Sequence, residues 1–184
     1  VVMQTLNALG IPVVTSRETT FFESMEVMDV FSLLHVLDNP RQDIHLAAVL
    51  RSPFYHFDEN DLAEIRCAHP DVPFHEAVIH ASSSGLQPEL QTRLIEALAQ
   101  LERWRTRARS KPLADVLNEI LDETGYADFV LALRGGEQRR ARVEAIVDRA
   151  RQFESFGRPT LYRFLRFIED LAKRAVDIKA PPPP

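Results

Sequence analysis

Cysteine is almost absent from this sequence, because Cys67 is the only one among 184 residues. A single thiol cannot build an intramolecular disulfide framework, so a fold held together by disulfides is excluded. Low cysteine content also fits a reducing compartment, and we expect a cytoplasmic protein. No apolar run reaches the roughly 18 residues that a membrane-spanning helix needs, so no membrane contact is expected.

A phosphate-binding loop is missing as well. None of the six glycines is followed by lysine, so the Gly-x-x-x-x-Gly-Lys-Ser/Thr motif that cradles nucleotide phosphates does not occur. The run Arg134-Gly135-Gly136 lacks the spacing of dinucleotide-binding turns, and we interpret it as a helix breaker. The sequence therefore predicts no ATP hydrolysis, no catalytic residue and no bound cofactor for this chain alone.

The histidine pattern does not predict a metal site. His75 and His80 resemble the paired histidines of zinc proteases, but they lie five positions apart instead of four. On a helix that spacing separates two side chains by about 140° rather than about 40°. We therefore expect two histidines on different faces of a short surface helix, without a metal.

The net charge of −5 is distributed unevenly along the chain. Residues 1–133 carry a net charge of −10, whereas residues 134–184 carry +5. A polyanionic partner would bind the C-terminal third, or the run of cations from Arg103 to Lys111. The alternative is that amphipathic helices simply expose their arginines to solvent, and composition does not separate the two interpretations.

Aromatic residues alternate with arginines near the C-terminus, a composition that could stack bases and bind phosphates. Phe153 and Phe164 lie on the apolar stripes that predict the core. Only Phe156, Tyr162 and Phe167 lie off these stripes. Burial of most of the rings is therefore favoured over base stacking.

The hydrophobic pattern is helical from Phe21 onward, since apolar residues recur at the i, i+3, i+4 spacing. We predict an all-α fold, an irregular multi-helix domain of about eight helices, preceded by one short strand at Ile11–Val14. Residues Tyr126–Leu133 fit a helix or a strand, and we favour a helix. The predicted breaks are Asn39-Pro40, Pro53, the loop 82–85, Gly125 and Gly135.

Several runs of residues together resemble a known family. Thr20–Val27 reads Thr-Phe-Phe-Glu-Ser-Met-Glu-Val, and Asp38–Pro53 joins an Asn-Pro break to Leu-Ala-Ala-Val-Leu-Arg-Ser-Pro. Gly135–Arg140, Asp148–Glu154 and Phe164–Glu169 continue the likeness in the same order along the chain. The ordered set resembles superfamily 1 DNA helicases of the UvrD/RecB type, closest to the AddA-like subunits of bacterial helicase–nucleases. The likeness is to the helical insertion, usually called 2B, within the second motor domain.

The resemblance implies a non-catalytic accessory domain that guides duplex DNA and docks partners for an ATP-driven motor in double-strand break repair. The parent would be an ATP-dependent DNA helicase or helicase–nuclease, with ATP and Mg²⁺ bound outside this chain. Implied partners are duplex DNA or a single-strand/duplex junction, the rest of the motor, and an AddB-like subunit. We expect a motor remnant and connecting segment at 1–20, the 2B-type domain at 21–179, and a proline-rich linker at 180–184. Val1 is not an initiator methionine, so the chain looks cut from a longer protein.

The sequence departs from the family pattern at one loop. In UvrD-like relatives a glycine-rich loop after the Ser/Thr-Pro turn presents backbone amides to duplex phosphates, whereas Phe54–Phe57 contains no glycine. DNA contact there would fall to Arg51 and His56, and the apolar rings would form a core plug or a subunit contact.

The candidate functional residues follow from the resemblance and the charge pattern. The DNA-contact candidates are Arg51, His56, Arg139, Arg140, Arg142 and Arg149. The partner-contact candidates are Phe54, Tyr55 and Phe57. The rival hypothesis is a protein-interaction module without DNA contact, which would bury the Phe54–Phe57 loop against a partner.

Overall fold

The described residues of this computed structural model are 21–155, 157 and 160–177, and they contain nine α-helices and no strand. The predicted all-α class is therefore confirmed. The predicted strand at Ile11–Val14, the connecting segment at 1–20, Phe156 and the linker at 180–184 lie outside the described residues. The helices are α1 (Met25–Asp38), α2 (Asp43–Arg51), α3 (Glu59–Ala68), α4 (Phe74–Ala81), α5 (Pro88–Ser110), α6 (Leu113–Thr124), α7 (Tyr126–Ala132), α8 (Gly136–Glu154) and α9 (Leu161–Asp177).

Helix α1 lies at the centre of the fold and packs against α2, α5, α8 and α9. Its apolar stripe, which includes Val27, Leu33 and Leu34, is fully buried. The remaining helices pack around this axis, with α3 against α4, and α6 and α7 against α8. Burial of apolar side chains from these helices accounts for the cluster that forms the core of the described residues.

The helix ends lie where the turn-forming residues predict them. Helix α1 ends at Asp38, directly before Asn39-Pro40, and α2 ends at Arg51, two residues before Pro53. Gly125 ends α6 in the left-handed conformation, with φ of 63°, which an L side chain adopts only at a cost. The segment after Gly125 is helical, which agrees with the favoured interpretation of its sequence.

Asp43, at the start of α2, would be expected from its position to cap that helix, but it has a different role. It is the first helical residue of α2, and its carboxylate accepts backbone N–H bonds from Phe74 at 2.8 Å and His75 at 3.0 Å. The ring Nδ1 of His75 also lies 2.7 Å from Oδ1 of Asp43. Asp43 therefore caps α4, more than thirty residues further along the chain, and joins two helices that the sequence pattern treats as separate.

Helix α8 begins earlier than its apolar stripe. The stripe starts at Val143, whereas the helix starts at Gly136. The first two turns are polar because ion pairs, rather than apolar packing, bind them to the rest of the fold. No helix in the described part of the chain is long and apolar enough to cross a membrane.

Candidate nucleic-acid interface

Two of the DNA-contact candidates are bound to a buried carboxylate. Glu26, on the first turn of α1, is 0% exposed. Its two oxygens accept hydrogen bonds from Nη1 of Arg139 at 2.8 Å and from Nη1 of Arg142 at 2.7 Å. Arg139 and Arg142 lie three residues apart on α8, so both guanidinium groups reach the same side of that helix. We call these three residues the Glu26 clamp.

The Glu26 clamp compensates a charge that would otherwise be costly to bury. Burial alone raises the pKa of Glu26, but the hydrogen bond from Arg142 and the positive charges of both arginines outweigh that effect. The net result is a pKa below the ordinary value, so Glu26 is ionised at neutral pH. A carboxylate buried without partners would cost several kcal/mol, on the order of the 3–5 measured when buried pairs are broken.

The other two arginine candidates on α8 differ from each other. The guanidinium of Arg149 stacks on the ring of Phe21 at 4.3 Å, which places it against the residues that precede α1. Arg140 is exposed and, among the described residues, pairs only with Glu144, one turn along the same helix, at 2.9 Å. Arg139, Arg142 and Arg149 thus join α8 to the start of α1, whereas Arg140 points into solvent. DNA contact by these four arginines stays a prediction.

The loop between α2 and α3 has no free backbone amide among residues 54–57. The amides of Tyr55 and His56 both donate to the carbonyl of Ser52, at 3.0 Å and 2.9 Å. The amide of Phe54 donates to the hydroxyl of Ser52, and that of Phe57 donates to the carbonyl of Leu50. Because all four donors are satisfied within the chain, this loop does not present an amide cradle to a phosphate.

The aromatic rings of the same loop point inward. Phe54 and Phe57 are buried, and Phe54 stacks on Tyr126 with ring centres 4.4 Å apart. The hydroxyl of Tyr55 donates to the carbonyl of Ala97 on α5 at 3.4 Å. The rings therefore form a plug in the core of this chain, the first of the two expected roles, and they do not offer a surface to a partner in this structure.

Arg51 and His56 remain at the surface beside this plug. Arg51 forms an ion pair with Glu59 on the first turn of α3. His56 is exposed and has a φ of 56°, a left-handed conformation that is uncommon for a residue with a side chain. Its carbonyl accepts a hydrogen bond from Arg93 at 3.0 Å, which holds the turn in place. The two side chains are accessible, and whether they contact DNA stays a prediction.

The run of cations at the end of α5 is divided between two faces. Residues four apart share a face, so Arg103 and Arg107 lie on one side, and Arg105 and Arg109 lie on the other. Arg107 pairs with Glu119 and Glu123 of α6, and Arg105 pairs with Glu102.

The face of α5 that carries Arg105 and Arg109 borders a cavity of about 500 Å³. These two arginines and Lys111 lie there beside Asp38 and Glu154. The two acidic side chains offset much of the positive charge there. This cavity is therefore a weak candidate for an anion site.

Histidines do not assemble a metal site in the described part of the chain. There, no group of three or more histidine, cysteine or acidic side chains could hold a metal ion. His75 is bound by Asp43, and the ring of His80 lies edge-on to that of His69 at 5.3 Å.

The Glu26 clamp could not be predicted from the sequence, because its residues are far apart along the chain. Glu26 lies among the buried residues of α1, and nothing local indicates that its partners lie more than a hundred residues away. The one available signal is an acid on the buried stripe of α1.

Comparison with known proteins gives a match to a family model. Residues 1–100 match the family model described as the UvrD-like helicase C-terminal domain. That match covers the connecting segment as well as α1 to α4 and the first half of α5.

Whole-chain similarity extends to residues beyond that match. The chain is 50% identical over 93% of its length to an ATP-dependent helicase/nuclease subunit from Pelotomaculum thermopropionicum, of which it covers 13%. It is 44% identical over 98% of its length to the protein of the same description from Geobacillus thermodenitrificans, of which it covers 15%. A third relative so described, from Desulforamulus reducens, is 42% identical over 97% of the chain. The chain spans about one seventh of the length of these relatives.

Proposed function

Because the chain belongs to the family of UvrD-like helicase C-terminal domains, we propose that it is a non-catalytic accessory domain of an ATP-dependent DNA helicase–nuclease. In this proposal the domain guides duplex DNA toward a motor that lies outside these 184 residues. ATP and Mg²⁺ would bind that motor, and an AddB-like subunit would be the partner protein. The parent would act in the repair of DNA double-strand breaks.

One observation carries this proposal. Relatives described as ATP-dependent helicase/nuclease subunits resemble almost the whole chain, yet the chain corresponds to only about one seventh of each of them. The chain itself contains no Gly-x-x-x-x-Gly-Lys-Ser/Thr motif. A helical segment of such an enzyme without a nucleotide loop fits an accessory role better than a catalytic one.

The charge distribution supports DNA as the ligand. Residues 134–184 carry a net charge of +5, and cations on a protein surface attract the phosphate backbone without regard to sequence. Since Arg139 and Arg142 are bound in the Glu26 clamp, we assign the non-specific contact to the exposed arginines Arg51, Arg103 and Arg140.

The test is fluorescence anisotropy of a labelled duplex with a single-stranded tail, titrated with the chain at low and at moderate salt. Non-specific binding with a Kd of roughly 10⁻⁴–10⁻⁶ M and a steep salt dependence is expected. Combined replacement of Arg51, Arg103 and Arg140 by glutamine should weaken binding and flatten the salt dependence. Absence of binding by the wild-type chain at low salt contradicts DNA guidance.

A protein-docking role is the second candidate, because two neighbouring methionines on α1 are exposed. Met25 and Met28 lie three residues apart, next to the connecting segment, and Met28 is 55% exposed. Exposed methionines suit protein contacts, since the side chain is flexible and apolar. Met28→Glu should abolish binding of the chain to a separately produced motor portion of its parent, whereas Ile44→Glu, an exposed position on α2, should not. Equal binding by both variants contradicts this role.

A further inference from the structure

Helix α9 presents an outward face that combines two aromatic rings with two arginines. Phe164, Leu165 and Ile168 bury the inward face of this helix against the core. On the outward face Tyr162 is 58% exposed and Phe167 is 39% exposed. At about 100° per residue, the four residues Tyr162, Arg163, Arg166 and Phe167 fall within an arc of about 140°. We call these four residues the α9 face.

The ring of Phe167 is held in a fixed orientation. It stacks on Phe153 of α8 with ring centres 4.9 Å apart and an interplanar angle of 20°. Phe153 in turn packs against the buried ring of Phe164 at 5.6 Å. One side of Phe167 is therefore supported by an aromatic column that reaches the core, while the other side faces solvent. A base placed there would extend an existing stack and would cost little ordering of the protein.

The arginines of the α9 face are available to an anion. Arg163 makes no ion pair with any described residue. In the described part of the chain Arg166 pairs only with Glu169, at 3.1 Å, and the two side chains are 53% and 35% exposed. Exposed pairs of this kind contribute little, about 0–1 kcal/mol, so a phosphate can displace Glu169. The exposed Asp170 lies one turn beyond Arg166, which limits the positive region to the first two turns of α9.

The spacing of these groups fits a nucleic-acid strand. Tyr162 and Phe167 are separated by about 8 Å along the helix axis, at 1.5 Å per residue. Successive bases of a strand are about 3.4 Å apart, so the axial separation alone corresponds to about two base steps. The angle of about 140° between the two side chains adds to this separation, so a strand that stacks on both rings leaves unstacked bases between them. The arginines lie between the rings, where the backbone of such a strand would pass. Duplex DNA cannot use the rings, because its bases cover each other's faces.

We propose that the α9 face is a binding surface for single-stranded DNA, in which Tyr162 and Phe167 stack on bases while Arg163 and Arg166 contact phosphates. This inference rests on the proposed function, because it takes DNA as the ligand. It specifies single-stranded DNA as the ligand and α9 as the site. The family match supplies neither, since α9 lies beyond the matched residues. The surface would hold the unpaired strand at a junction while other arginines contact the duplex.

The test uses the 184-residue chain and a labelled oligothymidylate in an anisotropy titration. Tyr162→Leu should weaken binding about 5- to 150-fold, which corresponds to the loss of one stacked base. Tyr162→Phe keeps the ring and should stay within about twofold of wild type. Phe129→Leu is the control, because Phe129 on α7 is also an exposed aromatic residue, at 37%, and lies outside the α9 face. Thermal melting followed by circular dichroism confirms that each variant is folded.

Two further measurements separate stacking from charge. An oligonucleotide that carries 2-aminopurine should lose fluorescence on binding to the wild-type chain and keep it with Tyr162→Leu. Arg163→Gln should reduce the slope of log affinity against log salt by about 0.7, while Arg41→Gln, an exposed arginine elsewhere, should not. Binding of oligothymidylate that is unchanged by Tyr162→Leu overturns the proposal.

The outcomes distinguish this inference from the proposed function. If the wild-type chain binds the tailed duplex but not the oligothymidylate, the guiding role stands and the α9 face is overturned. If it binds neither DNA, both proposals fail. If binding to the single strand depends on Tyr162 and Arg163 but not on Phe129 and Arg41, the α9 face is supported.

Discussion

Glu26 and Arg142 are 116 positions apart in the sequence, yet an oxygen of one lies 2.7 Å from a guanidinium nitrogen of the other. Together with Arg139 they join the first turn of α1 to the first two turns of α8. This contact explains why α8 starts seven residues before its apolar stripe. Because both arginines bind a buried carboxylate, replacing them should reduce stability in addition to any effect on DNA binding.

The first prediction concerns an asymmetry in the Glu26 clamp. Replacing both Arg139 and Arg142 by methionine leaves a buried carboxylate without partners and should destabilise the fold by about 3–5 kcal/mol. Glu26→Gln should cost less, about 1–3 kcal/mol, because an amide oxygen still accepts a hydrogen bond and the arginines can reach water. Urea denaturation gives both free energies of unfolding.

Arg140→Gln is the control for this experiment. Arg140 lies on the same two turns of α8 but pairs with Glu144 at the surface, so the urea midpoint should not change. If the double arginine variant is no less stable than Glu26→Gln, the two arginines do not compensate the buried charge of Glu26.

The second prediction concerns a pair of stacked histidines. The rings of His35 on α1 and His45 on α2 lie 4.2 Å apart and nearly parallel. Burial lowers the pKa of both below 6.5, and for His45 the charge of His35 lowers it further. The two histidines therefore bind protons more readily in the unfolded chain than in the folded one. Their contribution to the free energy of unfolding is fully present above pH 6.5, and it is lost as the pH decreases from 6.5 toward the pKa values of the folded state.

His45→Gln should flatten this pH dependence. The urea midpoint of the wild-type chain should decrease between about pH 7.5 and pH 5.5, and that of the variant should decrease less. Acidic Glu169 lies 3.8 Å from His35 and opposes the shift, so the effect should be moderate. His80→Gln, a replacement at the surface, serves as the control. Parallel curves for His45→Gln and wild type would contradict the role assigned to the stacked pair.

The third prediction uses two glycines that differ in their surroundings. A Cβ at Gly136 would lie 1.8 Å from the carbonyl oxygen of Leu131, so Gly136→Ala must displace backbone at the α7–α8 junction. We expect Gly136→Ala to lower the free energy of unfolding by about 3 kcal/mol or more. A Cβ at Gly125 meets no atom within 4 Å, and only its φ of 63° opposes a side chain. Gly125→Ala should cost about 1–2 kcal/mol.

Thermal or urea denaturation ranks the two glycine variants. The larger loss must belong to Gly136→Ala, because a steric clash with backbone cannot be relieved by a rotamer change. The opposite ranking would mean that the start of α8 moves freely. It would also weaken the geometry assigned to the Glu26 clamp.

The helices and their breaks could be predicted from local patterns, because each depends on residues within one or two turns. Asn39-Pro40 ends α1, and the i, i+3, i+4 stripes select the buried faces. Asp58 also caps α3 as a residue before a helix should, with its side chain accepting from the amide of Asp61 at 2.8 Å. Helix α7 is ambiguous in the sequence because a segment this short does not separate the two periodicities.

The candidate site could be predicted only in part, because charge in a sequence carries no information about distant partners. The sequence does not distinguish Arg139 and Arg142 from Arg140, since all three lie in one basic run. In the structure a buried carboxylate from α1 binds the first two. The pattern around Asp43 predicts a cap on its own helix, whereas its carboxylate caps α4. By contrast, the expectation that Tyr162 lies off the core stripe agrees with its exposure, since that depends on helix periodicity alone.

The fourth prediction concerns Tyr126 and Asp29, which extend the polar contacts beside the Glu26 clamp. Tyr126 is fully buried, and its hydroxyl donates to Oδ2 of Asp29 at 2.8 Å. Burial raises the pKa of Asp29, and the hydrogen bond from Tyr126 partly offsets that effect. Tyr126→Phe removes the donor, so the pKa of Asp29 should rise further and the fold should lose about 1–3 kcal/mol at neutral pH. Because protonation of Asp29 relieves the unpaired charge, this loss should shrink as the pH falls through the raised pKa.

Urea denaturation of Tyr126→Phe and Asp29→Asn, alone and combined, from neutral to acidic pH measures the coupling between the two residues. Additive effects at neutral pH would mean that the hydrogen bond contributes nothing to stability.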